Sequence, residues 1–481
     1  MTTTWLVLAL LAGYVAIMTL TARKSAVGKR TVFAYTVAER EVPATMGGLS
    51  LAATWVWATG LFVSSLHAYN VGWVGVVWFT VPNTLAILIM LPFALMLRRK
   101  YPHGLTLSGF MHSRYGTGVM RLYHLTLGGL AILATALNYM AGGAVLSFMT
   151  GTPAWLWSIL LAAATLVYTY RYGLRSSAGT GAVQMVFILA TIVTAAVYAV
   201  HAAGTDVLAA GIGGMKGVTS FFGDDGQMVA LSFGIVTAVG LVAGPVGDPT
   251  FWQRAYSYKQ SAVKPAFFLA AAAFVGIPVG MSVLGYIGAG KGMTPSGAPD
   301  YINLDVAAAF LPDWLLVAFL FTILSALLST ANSMLVSLGS LASDYTASLD
   351  RQRVVVAVAA AVAVVVSLVP GLTLFDLFLI YSTLRSATFL ITVTTILGKT
   401  WNARATFWAI AAGLVVGFPA TIYGNVIGST WQWKLGALLL TSVLPLVIVA
   451  VWTAIRPAGV SEGERRETPG ETAAAVEASR V

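Results

Sequence analysis

The sequence predicts an all-α integral membrane protein, and three observations predict it. Of 481 residues, 58% are hydrophobic and only 9% are charged, whereas a soluble domain carries roughly 25% charged residues. The apolar residues gather into thirteen runs, each near the ~20 residues that cross a bilayer core as a helix. The basic residues collect on one side of those runs.

The runs cover about 5–21, 44–66, 74–97, 121–147, 153–171, 181–201, 228–247, 266–288, 314–342, 353–371, 374–396, 404–424 and 434–455. The first, Trp5 to Thr21, lacks a basic leader and a clear cleavage site, so it reads as a retained helix. Residues 1–456 make one transmembrane domain, and the polar, mixed-charge residues 457–481 read as a disordered tail. An odd number of spans puts the termini on opposite sides. With the N-terminus outside, 23 of the 27 Lys and Arg residues fall in inside segments. Only Lys216, Lys291 and Lys434 lie outside, and Arg385 falls within the eleventh run. This is the positive-inside pattern, and one missed helix would scramble it. The expected location is the plasma membrane, with a cytoplasmic C-terminus.

A net charge of +10 would suggest nucleic acid in a soluble protein. Here it sets orientation among lipids, and no nucleic-acid partner is expected. The absence of cysteine rules out disulfides and thiolate metal sites. The five histidines form no close pair at metal-ligand spacing. Gly288-Ala-Gly-Lys-Gly292 lacks the spacing, the Ser/Thr and the preceding strand of a phosphate loop. All seventeen acidic residues lie in loops, in the tail or near a run's end, with Asp248 and Asp376 nearest to membrane depth. Proton-driven pumps use a carboxylate within the membrane as relay, and none is evident. An ion site would therefore be built from neutral oxygens.

Four segments carry more than apolarity. Leu324-Ser-Ala-Leu-Leu-Ser-Thr-Ala-Asn-Ser-Met continues to Asp344 with a small-x-x-Asp end. Ser50-Leu-Ala-Ala-Thr-Trp-Val-Trp-Ala-Thr-Gly60 precedes Tyr69-Asn-Val-Gly72. Thr180 and Gln184 lie in a Gly- and Ser-rich stretch. Asp248-Pro-Thr-Phe-Trp-Gln-Arg254 follows Gly240, Gly244 and Pro245. Taken together, over about residues 30 to 400, these segments resemble the sodium:solute symporter family, whose LeuT-like core has two inverted repeats of five helices.

The resemblance implies one extra N-terminal and two extra C-terminal helices, with repeats at about 44–201 and 228–396. It implies a sodium site in which Ser329 and Thr330 give hydroxyls while Ala53, Val56 and Ala326 give backbone carbonyls. The carbonyls near Ala53 would be freed where the first core helix unwinds, which is tolerated at that depth only along a cavity. Gly181 stands where the family has an aspartate, which argues against a second sodium. The segment from Asp248 resembles the polar cytoplasmic connection after the sixth core helix.

Candidate substrate contacts are Trp55, Trp57, Thr59, Gly60, Asn138, Tyr381 and Arg385. Two tryptophans and the Trp-x-Trp pattern lean to urea-like solutes, whereas Arg385 suits a carboxylate because its fork binds one in bidentate fashion. The expectation is a sodium-coupled symporter of a small organic solute (amino acid, urea-like or monocarboxylate), not an enzyme, with no obligate protein partner. The rivals are a sodium-independent or proton-coupled carrier of the same fold, and a membrane sensor or scaffold.

Overall fold

A backbone in hydrocarbon has no water to satisfy its N–H and C=O groups, so apolar runs must close their hydrogen bonds internally as helices. A computed structural model, which describes residues 2–26, 31–296, 301–372, 374–428, 430–457 and 468–478, is helical almost throughout. Ten of the described helical segments are long and apolar enough to cross a membrane. Three of the thirteen expected spans fall short of that measure. The first half of the 44–66 run stops after 12 residues, and the 153–171 run is the 16-residue helix Ala154–Thr169. The 353–371 run is a 19-residue helix that opens with Asp350, Arg351 and Arg353.

The chain opens with α1 (Thr2–Ser25) and the short α2 (Val32–Val37), which Thr31 caps through its side chain. Next come α3 (Ala44–Trp55) and α4 (Ala58–Lys100), separated by non-helical backbone at Val56 and Trp57. Within α4 the direction changes at Gly72 (φ 66°, ψ −154°), a conformation that costs an L-residue dearly. A side chain at Gly72 would also meet the carbonyl of Ile212. That turn divides the second and third expected spans.

The short α5 (Leu107–Tyr115) and α6 (Thr117–Tyr123) lead through a π turn at His124–Gly128 into α7 (Gly129–Thr150). Then follow α8 (Ala154–Thr169), α9 (Gly173–Ala203) and α10 (Thr205–Gly211). The next span consists of α11 (Asp224–Val229), a π turn at Ala230–Gly234 and α12 (Ile235–Val246). It breaks at Gly247 and Asp248 before α13 (Pro249–Ser257). Each expected repeat thus begins with an interrupted helix.

The segment from Asp248, expected as a polar connection, is instead a helix whose nine residues are all buried. Asp248 caps it, and Pro249 stands at its first position, where the missing N–H costs nothing.

The remainder is α14 (Val263–Gly290), α15 (Ile302–Phe310), α16 (Asp313–Leu341), α17 (Leu349–Ser367), α18 (Leu374–Leu397), α19 (Ala403–Ile422), α20 (Trp431–Ile455) and α21 (Pro469–Ala478). Helix α16 is the centre of the molecule: residues 319–341 are all buried, and it packs on α7 and α9. Helix α3 packs on α9 and α14. Helix α21 lies within the stretch expected to be a disordered tail, and it docks against α2.

Candidate functional site

Unwinding at Val56 and Trp57 releases carbonyls at the end of α3, and α16 brings a hydroxyl to them. Thr330 Oγ1 lies 3.0 Å from the Val56 carbonyl, 3.3 Å from that of Thr54 and 3.3 Å from that of Ala326. Ser329 Oγ, next in sequence, is buried without a hydrogen-bond partner. Val56, Ala326, Ser329 and Thr330 are each at most 1% exposed. Ala53 is equally buried in the last turn of α3. The carbonyl from that turn which meets Thr330 belongs to Thr54, which sequence reasoning passed over.

An orphaned hydroxyl beside carbonyls with spare lone pairs fits a small hard cation that prefers oxygen. The donors are neutral, so the site would strip the ion's water without a formal countercharge.

Beside this point lies a small cavity lined by Thr54, Trp55, Trp57, Asn138, Asp248 and Tyr381, among others. Trp55 packs edge-on against Phe251 with ring centroids 5.1 Å apart. Trp57 lies 5.5 Å from Tyr381, and the Arg385 guanidinium sits 5.0 Å over the same Tyr381 ring. Three kinds of polar atom here are buried and unpartnered: Trp55 Nε1, Asn138 Oδ1, and Nε and Nη1 of Arg385. Gly60 donates its N–H back to the Trp57 carbonyl (2.9 Å) and lines neither cavity. The side chain of Thr59 lies outside the described residues.

A larger cavity of about 400 Å³ continues from Trp57 and Arg385 past His67, Phe233 and Tyr301 to Lys434. The opposite end of the bundle is shut. There Thr106 Oγ1 (2.7 Å) and Ser108 Oγ donate to Asp344, and His124 Nε2 lies 3.0 Å from it. Glu471 of α21 accepts from Tyr101 Oη (2.8 Å) and from the Leu105 (3.4 Å) and Thr468 (3.0 Å) amides. Burial pushes the Glu471 carboxyl up to about 7.

Asp248 is 1% exposed at the cavity wall and accepts from the Thr250 amide (2.7 Å) and hydroxyl (2.6 Å). Arg254 and Arg385 both act on it electrostatically. A buried carboxylate at this depth corrects the expectation that acidic groups stay at the periphery. The Asp-Pro pair is a helix-start signature and would have revealed the break before α13.

The geometry defines a class: a multi-pass helical membrane protein of LeuT-like fold, with two interrupted helices meeting at a central site. No protein-family model matches the chain. Among solved structures, a Na+-coupled sialic acid symporter in a substrate-bound, outward-open state aligns with a TM-score of 0.76 at 15% identity. That alignment covers 94% of this chain and 97% of the other. Mhp1, a nucleobase-cation-symport-1 family transporter, aligns at 0.54 and 16% identity over 91% of this chain and 98% of its own. Among curated proteins, the urea-proton symporter DUR3 of Oryza sativa subsp. japonica is 22% identical over 276 residues, or 52% of this chain. The probable urea active transporter 3 of Schizosaccharomyces pombe is 23% identical over 257 residues, or 51% of this chain. The matched part spans 38% and 39% of the lengths of these two relatives. The relatives are transporters rather than enzymes, and the sequence's resemblance to the sodium:solute symporters is matched by the fold.

Proposed function

We propose that this chain is a sodium-coupled symporter of a small, neutral, urea-like solute in the plasma membrane, working by alternating access. The observation that carries the ion reading is Thr330 Oγ1 gathering the Val56, Thr54 and Ala326 carbonyls beside the unpartnered Ser329 hydroxyl. Sodium bound there ties α3 to α16 and favours the conformer whose cavity runs past His67 and Lys434. By the charge bias of the loops, that is the outward-open state. Solute bound beside Trp57 favours the same conformer, so each ligand raises the other's affinity.

The solute reading rests on complementarity. Trp55 Nε1 and Arg385 offer donors, while Asn138 Oδ1 and Asp248 offer acceptors. A molecule with both a carbonyl and N–H groups satisfies both sets. Asp248 also offsets the charge of Arg385, which weakens the case for an anionic solute. The curated relatives named for urea support this choice.

A second reading, proton coupling, is favoured by one observation. Asp248 is a carboxylate at the wall of the central cavity, and ionisable groups at membrane depth mark proton relays. Uptake of radiolabelled urea into proteoliposomes separates the two. An inward sodium gradient at equal pH drives uptake if sodium is coupled. Uptake driven only by an inward proton gradient replaces sodium with protons, and no uptake of urea under either gradient rejects the solute class.

A further inference from the structure

Arg254 is wholly buried, yet its hydrogen bonds go to neutral groups alone. Nη2 donates to Ser50 Oγ (3.1 Å) and Ser333 Oγ (2.8 Å), while Nε and Nη1 are buried without partners. Asp248, the carboxylate that acts on it electrostatically, accepts from Thr250 instead. Ser333 links the guanidinium to the proposed ion site through Thr54. Ser333 Oγ meets Thr54 Oγ1 at 2.9 Å, and the Thr54 carbonyl meets Thr330. Ser50 and Ser333 lie one helical turn from Thr54 and Ser329 on the same two helices, α3 and α16. Opposite Ser50, α9 presents Gly181, where even a Cβ would come within 2.8 Å of Ser50 Oγ. Among the described residues no carboxylate reaches the guanidinium from that side.

We infer that Arg254 is a tethered cation of the ion pathway, which lowers the affinity of the neighbouring site and excludes a second mobile cation. A fixed positive charge about one helical turn from a cation site, held by neutral hydroxyls in a low-dielectric interior, repels any ion bound there. It also occupies the hydroxyls that could hold another ion. The coupling stoichiometry is thereby one cation per cycle. This inference rests on the sodium reading given above.

The test is sodium titration of the purified protein, in choline-balanced salt, followed by thermal unfolding and by binding of radioactive sodium. Arg254→Gln keeps a donor for the two serines and removes the charge. It tightens sodium binding by about a hundredfold, the size expected of a unit charge one helical turn away at an effective dielectric near ~20. Arg254→Lys leaves affinity near the native value. A merely structural role predicts the reverse, since losing the guanidinium's packing would weaken the site. The native protein supplies a measurement that needs no variant: its sodium isotherm has a slope of one. A slope near two, or a Gln variant that binds sodium no more tightly than native protein, overturns the inference. If the native protein ignores sodium and the Gln variant binds it, the sodium reading of the native protein falls and the role of Arg254 stands. If neither binds, both fall.

Discussion

A guanidinium with two nitrogens unengaged, buried at the floor of a cavity, needs something to accept from it. Arg385 is held from one side by the Tyr381 ring and pressed by Gly247, leaving Nε and Nη1 without partners. Arg385→Gln therefore replaces a charged donor to the solute carbonyl with a shorter, neutral amide. Urea affinity falls by about tenfold or more, the worth of a charged hydrogen bond of ~1.5–3 kcal/mol, as a tryptophan-fluorescence titration would record. Unchanged affinity shows that Arg385 serves the fold. Asn138→Leu removes one of the two acceptors and weakens urea by a smaller factor, read in the same titration.

The candidate ion ligands Val56, Ala326, Ser329 and Thr330 are named through the family resemblance, whose motifs fall on them; a Ser-Thr pair alone is as often helix glue. The Thr54 carbonyl is not named by it, since which carbonyl turns inward depends on where α3 ends. Asp248 was misread for a similar reason: a carboxylate beside aromatic and basic residues reads as a loop until the break ahead of α13 is seen.

At the scale of elements, apolar length announced the long helices and hid the interruptions. The run 44–66 carries no charge, and its composition alone does not report that Val56 and Trp57 leave the helix; the family resemblance does. The turn at Gly72 is legible only as a glycine, whereas its positive φ comes from the fold. Replacing Gly72 with alanine forces an L-residue into that conformation, at about 1–2 kcal/mol, and drives a methyl group into the Ile212 carbonyl. A drop of several degrees in Tm is the expected result, and differential scanning calorimetry in detergent would detect it. Helix α21 was missed although Thr468-Pro-Gly-Glu471 spells a capping box with proline at the first position. The Thr468 amide bonds Glu471 (3.0 Å), and the Glu471 amide returns to Thr468 Oγ1 (3.4 Å). Its mixed charge outweighed that signal.

For the molecule as a whole, one end is open and the other shut, and the shut end carries a titratable lock. Glu471 has its carboxyl raised from the ordinary 4.5 to about 7 by burial. A docked helix that binds its proton more tightly than the free helix is stabilised at low pH. Docking is therefore strongest below about 4.5 and weakens as pH rises through about 7. Hydrogen exchange of residues 101–109, corrected for the intrinsic pH dependence of exchange, should quicken across that window. Glu471→Gln should remove the dependence. Exchange that slows as pH rises would reverse the sign and reject the account of α21.

The proposed transport cycle depends on one ion joining the end of α3 to α16. The most direct measurement is a sodium titration of the unfolding temperature, native against Thr330→Ala and Ser329→Ala. The native Tm rises with sodium and does not rise with equal choline, because a ligand that binds only the folded state stabilises it. Each variant loses about tenfold or more in apparent sodium affinity. A native Tm indifferent to sodium, or variants that respond as the native protein does, would contradict the account.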